Sequence, residues 1–261
     1  MNADQQRRLI VEQFTKQAVA FSQLPNHNNE ETNRLVLETG QIGQEDTVLD
    51  VACGPGLIST AIARHARHVT GIDITPAMIE EARQRQISLD LTNMSWQIGD
   101  ITRLPMADAQ FSRVVTRYSF HHFLDPQSAL REMARVCQPG GWCTVIDVFM
   151  SSTDQAELYN QMEKLRDPSH VRALQINEFP ELFLNAGLLN FRTAYYKVEV
   201  ELEQLLKATY TIPADAERIR SIFAADLKVD RMGVGSMVKS GQIFFSFPIM
   251  VFAGQKPNTE R

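Results

Sequence analysis

A chain of 261 residues, 44% of them hydrophobic, suffices for one large α/β domain with a cap and is short for two full domains. Its 26 basic and 31 acidic residues leave a net charge of −5, which gives no electrostatic footprint for nucleic acid. No apolar run approaches the ~18 residues of a membrane span, and Met1 to Arg8 lead into no signal-like core, so no membrane partner is expected. The three cysteines, Cys53, Cys137 and Cys143, lack zinc-ligand spacing; they read as small buried residues in a reducing cytoplasm, with no metal.

In chain order, residues 4–22 carry Leu9, Ile10, Phe14, Ala18 and Phe21 at helical spacing, stopped by Pro25 and a polar turn that includes His27. A second helix is expected at 29–39, ending near Gly40. The apolar run at 48–51 reads as a buried strand that breaks at Gly54-Pro55-Gly56, and Leu57, Ile58, Ala61 and Ile62 then open a helix. Without side chains at Gly54 and Gly56, a ligand can lie against the backbone. The position where a dinucleotide fingerprint has its third glycine is Ser59, and Asp50 lies inside the strand, where that fingerprint asks for no acid. Residues 68–73 form a second strand ending on Asp73, nineteen residues after Gly54, where a doubly wound fold places its ribose-binding acid. Thr75 reads as the N-cap of a helix with Pro76 at its first position. A third strand at 96–101 includes Asp100, and a fourth at 113–116 leads into Arg117-Tyr118-Ser119-Phe120-His121-His122.

Asp125 and Pro126 start the next helix, with Ala129, Leu130, Met133 and Cys137 as its buried stripe. The sequence Gln138-Pro139-Gly140-Gly141 turns the chain into a fifth strand at 142–148. Further helices are expected at 154–166 and 176–187, with a strand at 191–200 and a helical insert at 201–228 that Pro213 interrupts. The glycine-rich segment 230–241 reads as a mobile loop, and 249–253 as the last strand, with Pro248 at its start or in a bulge.

The segment around Asp50, Gly54 and Gly56, with Asp73, Asp100 and Gly140-Gly141, resembles the class I S-adenosylmethionine-dependent methyltransferases over roughly residues 45–150. It is most similar to the small-molecule branch that includes the ubiquinone/menaquinone-biosynthesis C-methyltransferases; Ala52 stands where many members carry another glycine. The resemblance implies a Rossmann-like α/β sheet of seven strands, mostly parallel with an antiparallel last strand, plus N-terminal helices and a helical cap. It also implies one domain: a helical cover at 1–40, a cofactor core at 45–150, substrate-side segments at 151–242, and a final strand and tail at 243–261. S-adenosylmethionine is the implied cofactor, held by Asp50, Ala52, Gly54, Gly56, Asp73, Ile74, Met78, Asp100, Ile101 and Arg117. In such families the leading helices cover the cofactor, which makes Phe14, Phe21 and His27 candidate contacts.

The implied reaction is in-line transfer of the methyl group to a small-molecule acceptor. Histidine titrates nearest neutrality, so His121 or His122 is the first candidate base, one facing the pocket and the other packing behind it. His170, in the polar segment 166–172, is the next candidate. The alternative is a protein of the same fold that binds the cofactor without transferring methyl, such as a cyclase or a structural partner. A dinucleotide oxidoreductase is disfavoured by Ser59 and by the lack of a Tyr-x-x-x-Lys pair.

Overall fold

The apolar run that follows Thr47 is buried along its whole length and forms the central strand, β1 (Thr47–Val51). In the computed structural model, which describes residues 1–22 and 29–258, β1 pairs in parallel with β2 (His68–Asp73) on one side and β4 (Phe111–Arg117) on the other. His27 and the side chain of Phe21 lie outside the described residues. β3 (Met94–Ile98) extends the sheet beyond β2, and β5 (Cys137–Met150) extends it beyond β4. β9 (Gln242–Gln255) runs antiparallel between β5 and β7 (Leu189–Glu201), giving the order β3-β2-β1-β4-β5-β9-β7. These are the seven expected strands. Two short ones are added at the margins, β6 (Leu174–Gln175) on β5 and β8 (Met237–Lys239) on β9. The direction of winding reverses between β1 and β4, and the crevice beyond their carboxyl ends is where such sheets bind ligands.

Several local expectations are corrected. β3 ends at Ile98, because Asp100 caps a single 3₁₀ turn (Ile101–Arg103) by accepting from the Thr102 N–H. Cys137 leaves the helix and begins β5, whose pairing with β4 shifts register between Phe111 and Arg113, beside Gly140 at φ +76°. Thr75 occupies the N-cap position of α4 (Pro76–Ser88), but its side chain makes no capping bond; Asp73 takes the Thr75 N–H instead. The segment 230–241 is no loose loop: Met232 and Val234 are buried, and Met237–Lys239 pairs back on β9. Pro248 lies inside β9, one residue beyond the last β5 partner, so its missing N–H takes nothing from the β5 ladder.

Helices cover both faces. α1 (Ala3–Ser22) crosses the carboxyl ends of the strands and packs on α4 and on α8 (Leu202–Ala208). α2 (Glu30–Thr39) packs on β7, β9 and the short α3 (Leu57–Ala63), away from the crevice. α5 (Pro126–Val136), capped by Asp125 as expected, and α7 (Glu178–Asn185) pack together around a core that includes Leu130, Met133, Phe179 and Phe183. α6 (Thr153–Arg166) and α9 (Pro213–Asp226) pack together over a second core, where Tyr159, Phe223 and Phe245 are fully buried.

Candidate active site

The break after β1 is built from three successive devices. Ala52 is held at φ +52°, a left-handed conformation that strains any residue with a β-carbon. Gly54, at φ +52°, has open space where a β-carbon would stand, which leaves its backbone bare to a ligand. Gly56 serves a different purpose from the one expected. At φ +74° it sits so close to β3 and α4 that a β-carbon would stand 2.8 Å from Trp96 Cη2 and 3.1 Å from Ala82 Cβ. It is the one expected cofactor residue that does not line the cavity at the strand ends.

That cavity, about 210 Å³, is bounded by Asp50, Ala52 and Gly54 after β1, and by Asp73, Ile74 and Met78 after β2. Asp100 and Ile101 bound it after β3, Arg117 and His122 after β4, and Gln6, Arg7, Ile10 and Phe14 of α1 close it over. Asp73 is aimed by two backbone donors: Gly54 N–H to Oδ2 at 2.9 Å and Thr75 N–H to Oδ1 at 2.8 Å. Burial raises its pKa above the ordinary carboxylate value, against the pull of these hydrogen bonds. Asp100 is already engaged, through Oδ2 by Arg7 Nε at 2.5 Å and through Oδ1 by the Thr102 N–H. The arginine ties α1 to the cavity's edge.

Asp50 is strongly perturbed in this cavity. It is fully buried, Oδ2 accepts from Ser59 Oγ, and Oδ1 has no partner among the described residues. Burial pushes its pKa up to about 7, although the Ser59 hydroxyl and the Arg117 charge pull the other way. Ser59, at the position that disfavoured a dinucleotide, orients this carboxylate. A sealed carboxylate oxygen without a donor is the feature an ammonium group would satisfy.

A second cavity, about 80 Å³, adjoins the first and shares Phe14, Tyr118 and His122 with it. Its walls are largely apolar (Val148, Val198, Leu205, Phe247, Ile249), with a polar corner formed by His121, Asp147, Arg166 and Asp167. The two adjacent histidines diverge in surroundings, their rings 4.1 Å apart. His121 donates from Nδ1 to Asp147 Oδ1 at 2.6 Å, and Asp147 Oδ2 is held by the Phe120 N–H at 2.6 Å. The pair makes Nδ1 the donor, so in the neutral ring the lone pair is on Nε2. Burial lowers the His121 pKa, but the charge and hydrogen bond of Asp147 outweigh it, so the ring titrates above its usual value.

His122 donates from Nδ1 to the Ser169 carbonyl at 3.1 Å and meets Phe14 edge-on at 5.1 Å. Burial and the neighbouring His121 push its pKa down to about 4, so it is neutral at pH 7. His170 faces neither cavity. It is sealed behind His121, with Nε2 donating to Asn160 Oδ1 at 2.8 Å and Nδ1 without a partner among the described residues, and burial pulls its pKa down steeply. The expectation that His170 could act as a base is therefore corrected on its placement: it is buried and lines neither of these cavities.

With this geometry in view, comparison with known proteins is decisive. Residues 49–145 match the family model of a methyltransferase domain. The uncharacterized methyltransferase YcgJ of Bacillus subtilis (strain 168) is 30% identical over 185 residues, 70% of this chain and 73% of the relative. The chain belongs to the class I S-adenosylmethionine-dependent methyltransferases. Demethylmenaquinone methyltransferase of Mycobacterium sp. (strain KMS) is 32% identical to it over 145 residues, 55% of this chain and 60% of that one. The solved YcgJ structure superposes with a TM-score of 0.80 at 24% identity, covering 88% of this methyltransferase and all of that chain (100%). Phosphoethanolamine N-methyltransferase 2 of Haemonchus contortus, solved with S-adenosyl-L-methionine, shares the fold at TM-score 0.59 and 14% identity, over 88% of this chain and 53% of that one. The methyltransferase uses S-adenosylmethionine, and its named methyltransferase relatives do not favour the non-transferring alternative.

Residue-type reasoning missed Asp147, Gln6 and Arg7, whereas Arg166 and Asp167 lie in the polar segment 166–172 that was singled out with His170. Asp147 had a visible signal, a lone carboxylate within the apolar run of β5, as Asp50 is in β1. Gln6 and Arg7 had none, because only the path of α1 across the strand ends brings them to the cavity.

Proposed function

We propose that this methyltransferase methylates a small-molecule acceptor held in the second cavity, with His121 as general base and Asp147 as the residue that positions it. The observation that carries the reading is the His121–Asp147 pair in a small, largely apolar cavity that adjoins the strand-end cavity through Phe14, Tyr118 and His122. A concave, largely apolar space of about 80 Å³ suits a small molecule better than a folded macromolecule.

In this reading the cofactor lies in the first cavity. Asp73 accepts from the ribose hydroxyls with the lone pairs left by Gly54 and Thr75, and Asp50 Oδ1 accepts from the amino-acid ammonium. Gly54 and Ala52 let the amino-acid end pass close to the backbone, and Arg117 takes its carboxylate. Met78, Ile74 and Ile101 form the apolar slot for adenine, whose amine shares Asp100 with Arg7. The bound sulfonium supplies an electrophilic methyl group suited to in-line displacement. The chain's own contribution is mainly alignment under α1 with water excluded, which is worth on the order of 7–11 kcal/mol in favourable cases. His121 Nε2 takes the acceptor proton and Asp147 stabilises the imidazolium that forms, an arrangement worth about 10²–10⁴ in rate. His122, neutral and tied through Nδ1, packs between the two cavities.

This division corresponds to a single domain with α1 as cover, a cofactor core at 45–150 and a substrate side at 151–242. α2, packed away from the crevice, is not part of the cover. Three buried free cysteines suit a reducing cytoplasm. The test is a screen of metabolite fractions with methyl-labelled cofactor, followed by His121→Gln and Asp147→Asn on whichever acceptor is found. The reading requires turnover to fall in both variants while S-adenosylhomocysteine affinity holds; full turnover in His121→Gln would end it.

A further inference from the structure

We infer that Gln6 joins the two cavities: its amide nitrogen clips α1 to His122 and Ser169, while its amide oxygen accepts a hydrogen bond from the bound cofactor. The inference rests on the reading of the first cavity as the cofactor's. Gln6 is 4% exposed on the inner face of α1 and lines that cavity. Its Nε2 donates to the His122 carbonyl at 2.8 Å and to the Ser169 carbonyl at 2.6 Å, joining segments 116 and 163 residues away. Both partners can only accept, so the amide has one possible orientation; turning it over would set oxygen against two carbonyl oxygens. Oε1 is therefore fixed, and it is sealed with no partner among the described residues.

A buried amide oxygen without a donor is uncommon in native proteins and calls for an explanation. Asp50 Oδ1, in the wall of the same cavity, is in the same condition. Two residues in the wall of the cavity thus carry a sealed acceptor each, and the cofactor carries donors on its amino-acid end and on its nucleoside. Docking α1 over an empty cavity leaves Gln6 Oε1 unsatisfied, whereas docking it over the cofactor does not. Cofactor binding and the seating of α1 therefore favour each other.

The same amide carries that coupling to the acceptor side. The Ser169 carbonyl receives Gln6 Nε2 and also His122 Nδ1, while Ser169 Oγ donates to Asp167 Oδ1 at 2.6 Å. His122 and Asp167 both line the second cavity. Gln6 is thus a positioning residue for His122, and the acceptor cavity takes its final shape only when α1 is seated.

The experiment compares wild type with Gln6→Met, similar in size but unable to form these hydrogen bonds. Calorimetry with S-adenosylhomocysteine and 5′-methylthioadenosine is combined with amide exchange of residues 3–16, and ¹⁵N NMR reads the His122 tautomer. Loss of the contact is expected to weaken binding about tenfold and to reduce the slowing of exchange that the ligand causes in α1. A loss confined to S-adenosylhomocysteine places the donor on the amino-acid end; a loss with both ligands places it on the nucleoside. His122 is expected to lose its fixed Nδ1–H tautomer. Should Gln6→Met not fold, Gln6→Glu keeps an acceptor but loses both donors, and it should release the tautomer and speed α1 exchange without ligand. Wild-type affinity for both ligands with wild-type α1 protection would overturn the contact, and an unchanged His122 tautomer would overturn the positioning role. If wild type itself binds neither ligand, the assignment of the first cavity fails instead.

Discussion

Replacing Asp50 by asparagine should stabilise the ligand-free protein while weakening its grip on the cofactor. The Asp50 carboxyl is fully buried, and its pKa rises from 3.8 to about 7, chiefly through loss of solvent. A folded-state pKa above the unfolded one means that the folded chain holds a proton the unfolded chain has released. The group's contribution is therefore most favourable below about pH 4 and is lost as pH rises to about 7, at roughly 1.4 kcal/mol per unit. Over about three units the carboxyl costs the ligand-free fold about 4 kcal/mol at neutral pH, an upper bound because the site can relax. The asparagine side chain has nearly the same shape and no charge to desolvate. Urea denaturation of wild type and Asp50→Asn between about pH 4 and pH 8 should show the variant gaining stability relative to wild type as pH rises, with a plateau above about pH 7. Calorimetry should show S-adenosylhomocysteine binding weakened by about 10- to 100-fold, the worth of a hydrogen bond to a charged group. A stability difference that does not change with pH would refute the buried, ionisable state of Asp50. Undiminished binding would remove it from the cofactor site.

Four further outcomes are expected. Ala52→Gly relieves a left-handed strain of about 1 kcal/mol and should raise the melting temperature by about 2–4 °C. Gly56→Ala places a methyl group 2.8 Å from Trp96 Cη2 at φ +74° and should lower the melting temperature by more than that; an unchanged value would contradict the close packing described. His122 has its pKa depressed to about 4, so its stabilising contribution is full above about pH 6.5 and is lost as pH falls toward 4, up to about 3 kcal/mol; His122→Asn should flatten acid denaturation in that window. His121, with its pKa raised, should give a rate that climbs with pH through a midpoint above 6.5, and Asp147→Asn should move that midpoint down; a rate flat across this range would exclude a histidine base.

What the sequence made legible was set by local rules. The strand-turn-helix of residues 48–62 is readable because an apolar run, two glycines and a helical stripe each have one structural meaning there. Asp73 is readable because strand length and helix length together fix its distance from Gly54. The difference between Gly54 and Gly56 was not readable: both favour a positive φ, and only Trp96, forty residues on, shows that Gly56 is needed for packing. The two histidines illustrate the same limit. Their adjacency foretold that they would part company, but the assignment needed Asp147 from the next strand and Ser169 from the loop after α6. His170 looked polar in sequence beside Arg166, Asp167 and Ser169, yet the fold turns it inward onto Asn160. The glycines at 233, 235 and 241 suggested a loose loop, whereas Met232 and Val234 anchor it and a short hairpin follows.

The central claim is that a cofactor methyl group reaches a small molecule whose proton His121 removes. A single-turnover experiment with methyl-labelled S-adenosylmethionine and a metabolite extract tests it most directly. Product is separated by ultrafiltration and then freed of cofactor by chromatography. The account predicts that label appears in a low-mass product with wild type, at a rate that rises with pH, and that His121→Gln slows its appearance by about 10²–10⁴-fold at unchanged cofactor affinity. Label retained with macromolecules, or equal transfer by wild type and His121→Gln, would contradict it.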